Sequence, residues 1–202
     1  MRIRGAGMEP YQVTADDALW LARAVEAEGP IATQVAATLI NGFAFMRSQR
    51  AYAGSLTTWI RSYAQPVNPR WYTSGDLFKA SLQGKTEAEQ AAARTVAEKR
   101  ERIHSTRQSF TTATQDAVRA ALNGTALYPS SATDYAAPGV DATGKGYKPL
   151  ADPKSGQNRL WARPGADRWT GYLVDATDAW PWLIGLLVIG AVVAAAAKWG
   201  PA

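Results

Sequence analysis

There is no cysteine in the 202 residues, and one histidine, His104. No disulfide framework, thiolate metal site or cysteine nucleophile can be built, and a lone imidazole removes nearly every histidine-based triad or zinc constellation. Any chemistry must come from carboxylates, hydroxyls or the backbone, and no metal or other cofactor is expected. Charge is sparse at 19% of residues, with Lys+Arg 22 against Asp+Glu 17. The resulting +5 suits anionic polymers: nucleic acid, phospholipid surfaces or bacterial cell wall. Because the basic residues are dispersed and not gathered on one face, no nucleic-acid partner is expected. MRIRGAGMEPYQVT has no apolar stretch of signal-peptide length, so a cleaved leader is not expected. With 47% hydrophobic residues, wholesale disorder is excluded and one domain with a core is expected.

Helical periodicity dominates, strand-like alternation is scarce, and no internal repeat is found. The first helix is expected from Ala15 to Glu28, capped by Thr14, with Asp16 and Asp17 in its first turn and Gly29-Pro30 as its stop. A second, Ile31 to Arg47, places Ile31, Val35, Leu39, Phe43 and Met46 on one stripe and should be buried. A short third begins after Ser55 and is cut by Pro66 and Pro69. The longest, Glu87 to Arg107, opens on Thr86-x-x-Glu89, a capping box, and its charges read as a solvated face. Another, Thr112 to Leu122, ends at Asn123-Gly124, a C-terminal cap signal.

From Thr125 to Pro164 Pro, Gly, Ser, Asp and Tyr crowd together, a long loop or small hairpin, placed to line a site in its earlier part. Beyond it, Ala179 to Ala197 is nineteen residues without a charge, between Asp178 and Lys198. As a helix the run spans about 28 Å, close to the ~30 Å hydrocarbon thickness of a bilayer. Trp180, Trp182 and Trp199 lie where interfacial aromatics belong. The chain is therefore read as mainly α: an N-terminal arm 1–14, a helical domain 15–150, a tether 151–178 and a transmembrane helix 179–197 that anchors it by its tail to a lipid membrane. Trp161 and Trp169 would pack locally or touch the bilayer interface.

Two carboxylates, Glu26 and Glu28, close the first helix. At about 100° per residue, Glu28 falls about 20° from Leu21 and 60° from Val25, inside the apolar stripe, whereas Glu26 lies about 140° from Leu21 and faces water. A carboxyl group on the apolar side of a last helical turn is costly to ionise, since desolvation and the negative end of the helix dipole both favour the protonated form. Glu28 is thus the candidate proton donor and Glu26 an ordinary surface charge.

The stretch from Leu21 to Gly42, LARAVEAEGPIATQVAATLING, resembles the opening of the spore-cortex-lytic type of cell-wall hydrolases, in which a helix ending in an essential Glu precedes a GQVAVAAVVLNR helix. Ala121-Leu122-Asn123-Gly124 followed by YPSSATDY is similar to that family's ALxG stretch and its later Asp-Pro-Thr-Gly-Gly-Ala loop. The family's Ala-Arg-Gly-Glu segment is shortened here to Gly29-Pro30, and loop glycines are replaced by Ser130 and Ser131. The resemblance implies a lysozyme-like, mainly helical fold acting on peptidoglycan, with the essential role on Glu28.

Glycoside cleavage ordinarily takes two carboxyl groups. No clear second one lies near Glu28 in sequence; Asp76 and Asp134 are the runners-up, though loop aspartates are more often turn formers. One Glu suffices when it protonates the bridging oxygen and then takes the proton of the sugar's own 6-hydroxyl, the chemistry of a lytic transglycosylase. Tyr63, Gln65, Asn68, Trp71 and Tyr72, in a proline-stiffened segment, and Tyr135 from the later loop combine stacking surfaces with amides and are the candidate sugar-binding residues. A wall-cutting enzyme without an export signal, anchored by its tail, is expected of a bacteriophage whose virion carries it, with other virion proteins as further partners; a host envelope enzyme is the other location. The competing class is a non-enzymatic, membrane-anchored virion structural or assembly protein with a lysozyme-like domain.

Overall fold

The computed structural model of the chain describes residues 1–28, 32–106, 109–124, 130–136, 139–150 and 159–175. Helix α1 (Ala15–Glu28) starts where the sequence places it. The Asp17 amide donates to Thr14 Oγ1 (3.1 Å) and the Thr14 amide to Asp17 Oδ2 (2.9 Å), a reciprocal cap. Asp17 is buried, and its carboxylate also accepts from the Tyr11 hydroxyl (2.9 Å) and from the amide and hydroxyl of Thr57 (2.7 and 2.8 Å). One side chain therefore joins the N-terminal segment, α1 and the next-but-one helix.

Helix α2 (Ala32–Ser48) buries Val35, Leu39 and Phe43 and half-buries Met46, the stripe expected of it; Ile31 lies outside the described residues. Helix α3 (Leu56–Tyr63) is capped by Ser55, which accepts from the Thr58 amide at 3.1 Å. The prolines then enforce two 3₁₀ turns, Gln65–Val67 and Pro69–Trp71. A short helix α4 (Asp76–Ser81) follows that periodicity does not reveal, being too brief to show a stripe. Helix α5 (Glu87–Thr106) opens on the Thr86–Glu89 box: the Thr86 amide donates to Glu89 Oε2 at 2.8 Å, and the Glu89 amide to Thr86 Oγ1 at 3.4 Å. Helix α6 (Thr112–Leu122) ends as expected, with Gly124 at φ +68°, where a glycine costs least. Leu21 and Val25 of α1, Ile40 of α2, Ile60 of α3 and Val118 and Leu122 of α6 meet in one core.

Two three-stranded antiparallel sheets complete the fold, and they correct two of the expected boundaries. Strands β1 (Arg2–Gly5) and β2 (Tyr11–Gln12) are made by the segment read as an arm over 1–14. Met1, Ile3 and Val13 are buried, because alternate residues of so short a hairpin face α2. In the segment read as a tether over 151–178, residues 159–175 are part of the domain. Strand β5 (Arg159–Ala162) lies between β3 (Asp134–Ala136) and β4 (Lys148–Pro149), with Asp134 opposite Trp161 and Lys148 opposite Ala162. Strand β6 (Tyr172–Asp175) pairs along β1, Ile3 opposite Val174. The run Leu160-Trp161-Ala162 is buried, and Trp161 and Trp169 lie in the protein interior, not at a bilayer surface. The described parts of the domain thus include residues of both 1–14 and 159–175. Within the segment expected to be a long loop or a small hairpin, three short strands, β3, β4 and β5, make one sheet.

Among the described residues no helix is long and apolar enough to cross a membrane. The apolar run 179–197 lies outside them, as do Gly29 and Pro30.

Candidate functional site

The end of α1 meets the loop that follows α6. The Tyr135 hydroxyl donates to Glu28 Oε1 at 3.0 Å, joining the first helix to strand β3 across more than a hundred residues of chain. Glu28 is half-buried, less enclosed than the place inside the apolar stripe expected of it. Burial, then the charge of Glu28 and the hydrogen bond to it, push the Tyr135 phenol well above its ordinary value, so it stays a neutral donor toward the carboxylate.

Beside this pair, Tyr63 from the last turn of α3 stands edge-on to Tyr135, ring centroids 6.3 Å apart, and stacks on Trp59 at 5.2 Å. Its hydroxyl donates to Asp134 Oδ1. Burial, followed by the Asp134 charge, raises the Tyr63 phenol well above its usual range. Asp134 in turn receives Nε and Nη2 of Arg163 at 2.7 and 2.8 Å, a two-point pair with side chains only 5% and 14% exposed. For Arg163, burial works against the charge, but the hydrogen bonds and charge of Asp134 outweigh it and its pKa rises. The guanidinium also lies 5.1 Å from the Trp59 ring and 5.3 Å from Tyr63. Asp134, a runner-up for a second carboxylate, is thus occupied as an ion pair that holds Tyr63 and β3 in place.

The loop is held at this distance by Asn41 of α2. Its Nδ2 donates to the carbonyls of Ser130 and Ala132, both at 2.7 Å, and its Oδ1 accepts from Trp169 Nε1 at 2.7 Å. A buried amide that fills both ends in this way fixes a loop rather than a ligand. Gly42 makes the approach possible: a Cβ there would meet the Thr133 carbonyl at 2.4 Å.

The expected sugar-binding residues divide. Tyr63 and Tyr135 come together at Glu28. Gln65, Trp71 and Tyr72 line a cavity of about 430 Å³ between the 3₁₀ turns, α4 and α5, walled also by Phe78 and Val96. Asn68 is architectural: its Oδ1 caps the second 3₁₀ turn through the Arg70 amide (3.0 Å) and its Nδ2 donates to the Ser62 carbonyl (2.8 Å). Asp76 begins α4 and pairs with Arg70 at the exposed surface at 2.6 Å; that hydrogen bond lowers its pKa. Comparison with protein-family models, with curated proteins and with solved structures returns no match.

Glu26 corrects the sequence reading. It is half-buried, not a free surface charge: its Oε2 accepts from the amide and hydroxyl of Thr111 (3.2 and 2.9 Å) and from the Thr114 hydroxyl (2.5 Å), at the N-terminus of α6. A carboxylate at the positive end of a neighbouring helix is favourable there. Helical phase could not reveal this, because α6 arrives from elsewhere in the chain. Arg163, Trp59 and Asn41 were missed for the same reason, although Asn41 stands within the LING run that carries the family likeness. Among the described residues no group of three or more His, Asp or Glu side chains is arranged to hold a metal ion.

Proposed function

We propose that the chain cleaves the glycan of peptidoglycan as a lytic transglycosylase, with Glu28 as its catalytic acid and base, and that residues 179–197 anchor it in a membrane. The observation that carries the reading is the meeting of Glu28 with Tyr135: the two stretches that resemble the cell-wall hydrolases, far apart in sequence, contribute the two ends of one 3.0 Å hydrogen bond.

In the proposed reaction the protonated Glu28 gives its proton to the bridging oxygen as the bond from that oxygen to the sugar C1 breaks. The 2-acetamido group steadies the cationic ring. Glu28, now a carboxylate, takes the proton of the same sugar's 6-hydroxyl while that oxygen bonds to C1, which closes an anhydro ring and restores the acid. Asp134, the runner-up carboxylate that adjoins Tyr135, is committed to Arg163, which favours a one-carboxylate route over one that needs a second ionised partner.

The test is a renatured gel impregnated with peptidoglycan. The full chain clears it, Glu28→Gln loses clearing by at least about a hundredfold, since general acid catalysis contributes on the order of 10²–10⁴, and Glu26→Gln still clears. Mass spectrometry of the released fragments then separates anhydro ends from reducing ends, which differ by one water. Clearing by Glu28→Gln would move the chemistry to another residue, and no clearing by the wild type would leave a membrane-anchored structural protein.

A further inference from the structure

Most arginines with a well-placed acid nearby use it: Arg4, Arg70, Arg119 and Arg163 each pair with an aspartate. Arg23 of α1 and Arg61 of α3 do not. Both guanidiniums lie over one indole, that of Trp20, at 4.7 and 4.3 Å from the ring centroid. Both bury an Nε that has no hydrogen-bond partner, and among the described residues neither lies within 4.0 Å of a carboxylate. Asp16, the α1 acid whose charge acts on Arg23, accepts from the Thr57 hydroxyl at 3.1 Å. Burial lowers the pKa of Arg23, and the like charge of Arg61 adds to that against the opposing pull of Asp16 and Tyr72. Two cations held on the same ring, with the charge of Asp16 near Arg23 but no ion pair made by either, favour an anion arriving from outside, and a stacked guanidinium presents its edge to a carboxylate as a ready two-point donor.

The neighbour that extends this patch is Tyr72. Arg61 and Arg23 both act on its phenol electrostatically, and Tyr72 forms part of the wall of the 430 Å³ cavity with Trp71 and Gln65. A ligand can therefore place an oxyanion at the arginines and its uncharged body along the aromatic wall. Arg23 precedes Glu28 by five residues on α1, which is about 7.5 Å along the helix axis and about 140° around it. A group that branches sideways from a polymer lying at Glu28 is suited to that offset. Peptide stems branch from the glycan in this way, and they carry free carboxylates.

We infer that Trp20, Arg23, Arg61 and Tyr72 form a subsite that grips the carboxylate of a peptidoglycan peptide stem. The inference rests on the reading of Glu28 as acting on that polymer.

The experiment measures binding by the full-length Glu28→Gln chain in detergent, so that cleavage does not intrude, to two preparations: intact sacculi, and sacculi stripped of their peptides by an amidase. Arg61→Gln and the Arg23→Gln/Arg61→Gln pair weaken binding to intact sacculi about tenfold, the loss of one charged hydrogen-bonded contact, and leave binding to stripped glycan unchanged. Arg61→Lys, which keeps charge but not the fork, also weakens it. Free stem peptide competes, and the same peptide with amidated carboxylates does not. Circular dichroism melting checks that each variant folds. Equal binding of wild type and arginine variants to intact sacculi, or equal losses on both preparations, overturns the subsite while the Glu28 reading stands. A parent chain that binds neither preparation overturns both.

Discussion

Arg163 and Arg61 each lie across aromatic rings at comparable distances, yet their surroundings differ in kind. Arg163 meets Asp134 through two hydrogen bonds and lies 14% exposed, and Asp134 also accepts from Tyr63. Arg61 shares the Trp20 ring with a second arginine and meets no carboxylate among the described residues. The difference separates charge used to build from charge held ready. A buried ion pair with its remaining bonds satisfied fixes geometry, here the approach of β3 to the end of α3 and so the position of Tyr135 against Glu28. An arginine with no ion-pair partner contributes less to holding the fold, and the donors it does not use there remain for a ligand.

That contrast can be broken most forcefully at Asp134. Asp134→Asn leaves the Arg163 guanidinium buried without its counter-charge and is expected to lower stability by about 3–5 kcal/mol in chemical denaturation, whereas Arg61→Gln changes it by less than about 1 kcal/mol. Equal losses would erase the distinction. Gly42→Ala tests the same loop without touching charge: pushing the Thr133 carbonyl away from α2 is expected to cost about 1–3 kcal/mol and to reduce clearing of peptidoglycan, since Tyr135 is two residues further on. Unchanged clearing would show that β3 tolerates movement relative to α2.

The smallest effect concerns a charge far from both clusters. Glu89 is held below its ordinary value near 4.5 by the hydroxyl and amide of Thr86. A depressed carboxyl stabilises the fold at pH above that ordinary value, and the contribution fades as the pH falls through the lowered one. The gap in melting temperature between wild type and Thr86→Ala should therefore be open at neutral pH and narrow on acidification below pH 4. A gap that stays constant would mean that Glu89 takes no part in the cap.

What was legible along the chain was local. The limits of α1 and α6, the capping boxes and the α2 stripe depend on residues within a turn or two of one another, where phase and cap chemistry act directly. The later strands were not legible, because β5 and β6 are four residues each and pair with segments far away in sequence, so that 159–175 reads as loop until its partners are known. The division of the aromatic segment was hidden for a related reason: Tyr63 ends a helix, while Gln65, Trp71 and Tyr72 lie beyond prolines that turn the chain toward α5.

Charge behaved in the same way. Phase alone separates Glu26 from Glu28 and predicts one outer and one inner, yet both are half-buried in the structure. Which hydrogen bonds each receives was decided only when α6 and β3 arrived, giving Glu26 the threonines of a helix start and Glu28 a tyrosine hydroxyl. A helix knows its own faces from its sequence, but an acid's partners come from segments that only the packed core brings within 3 Å.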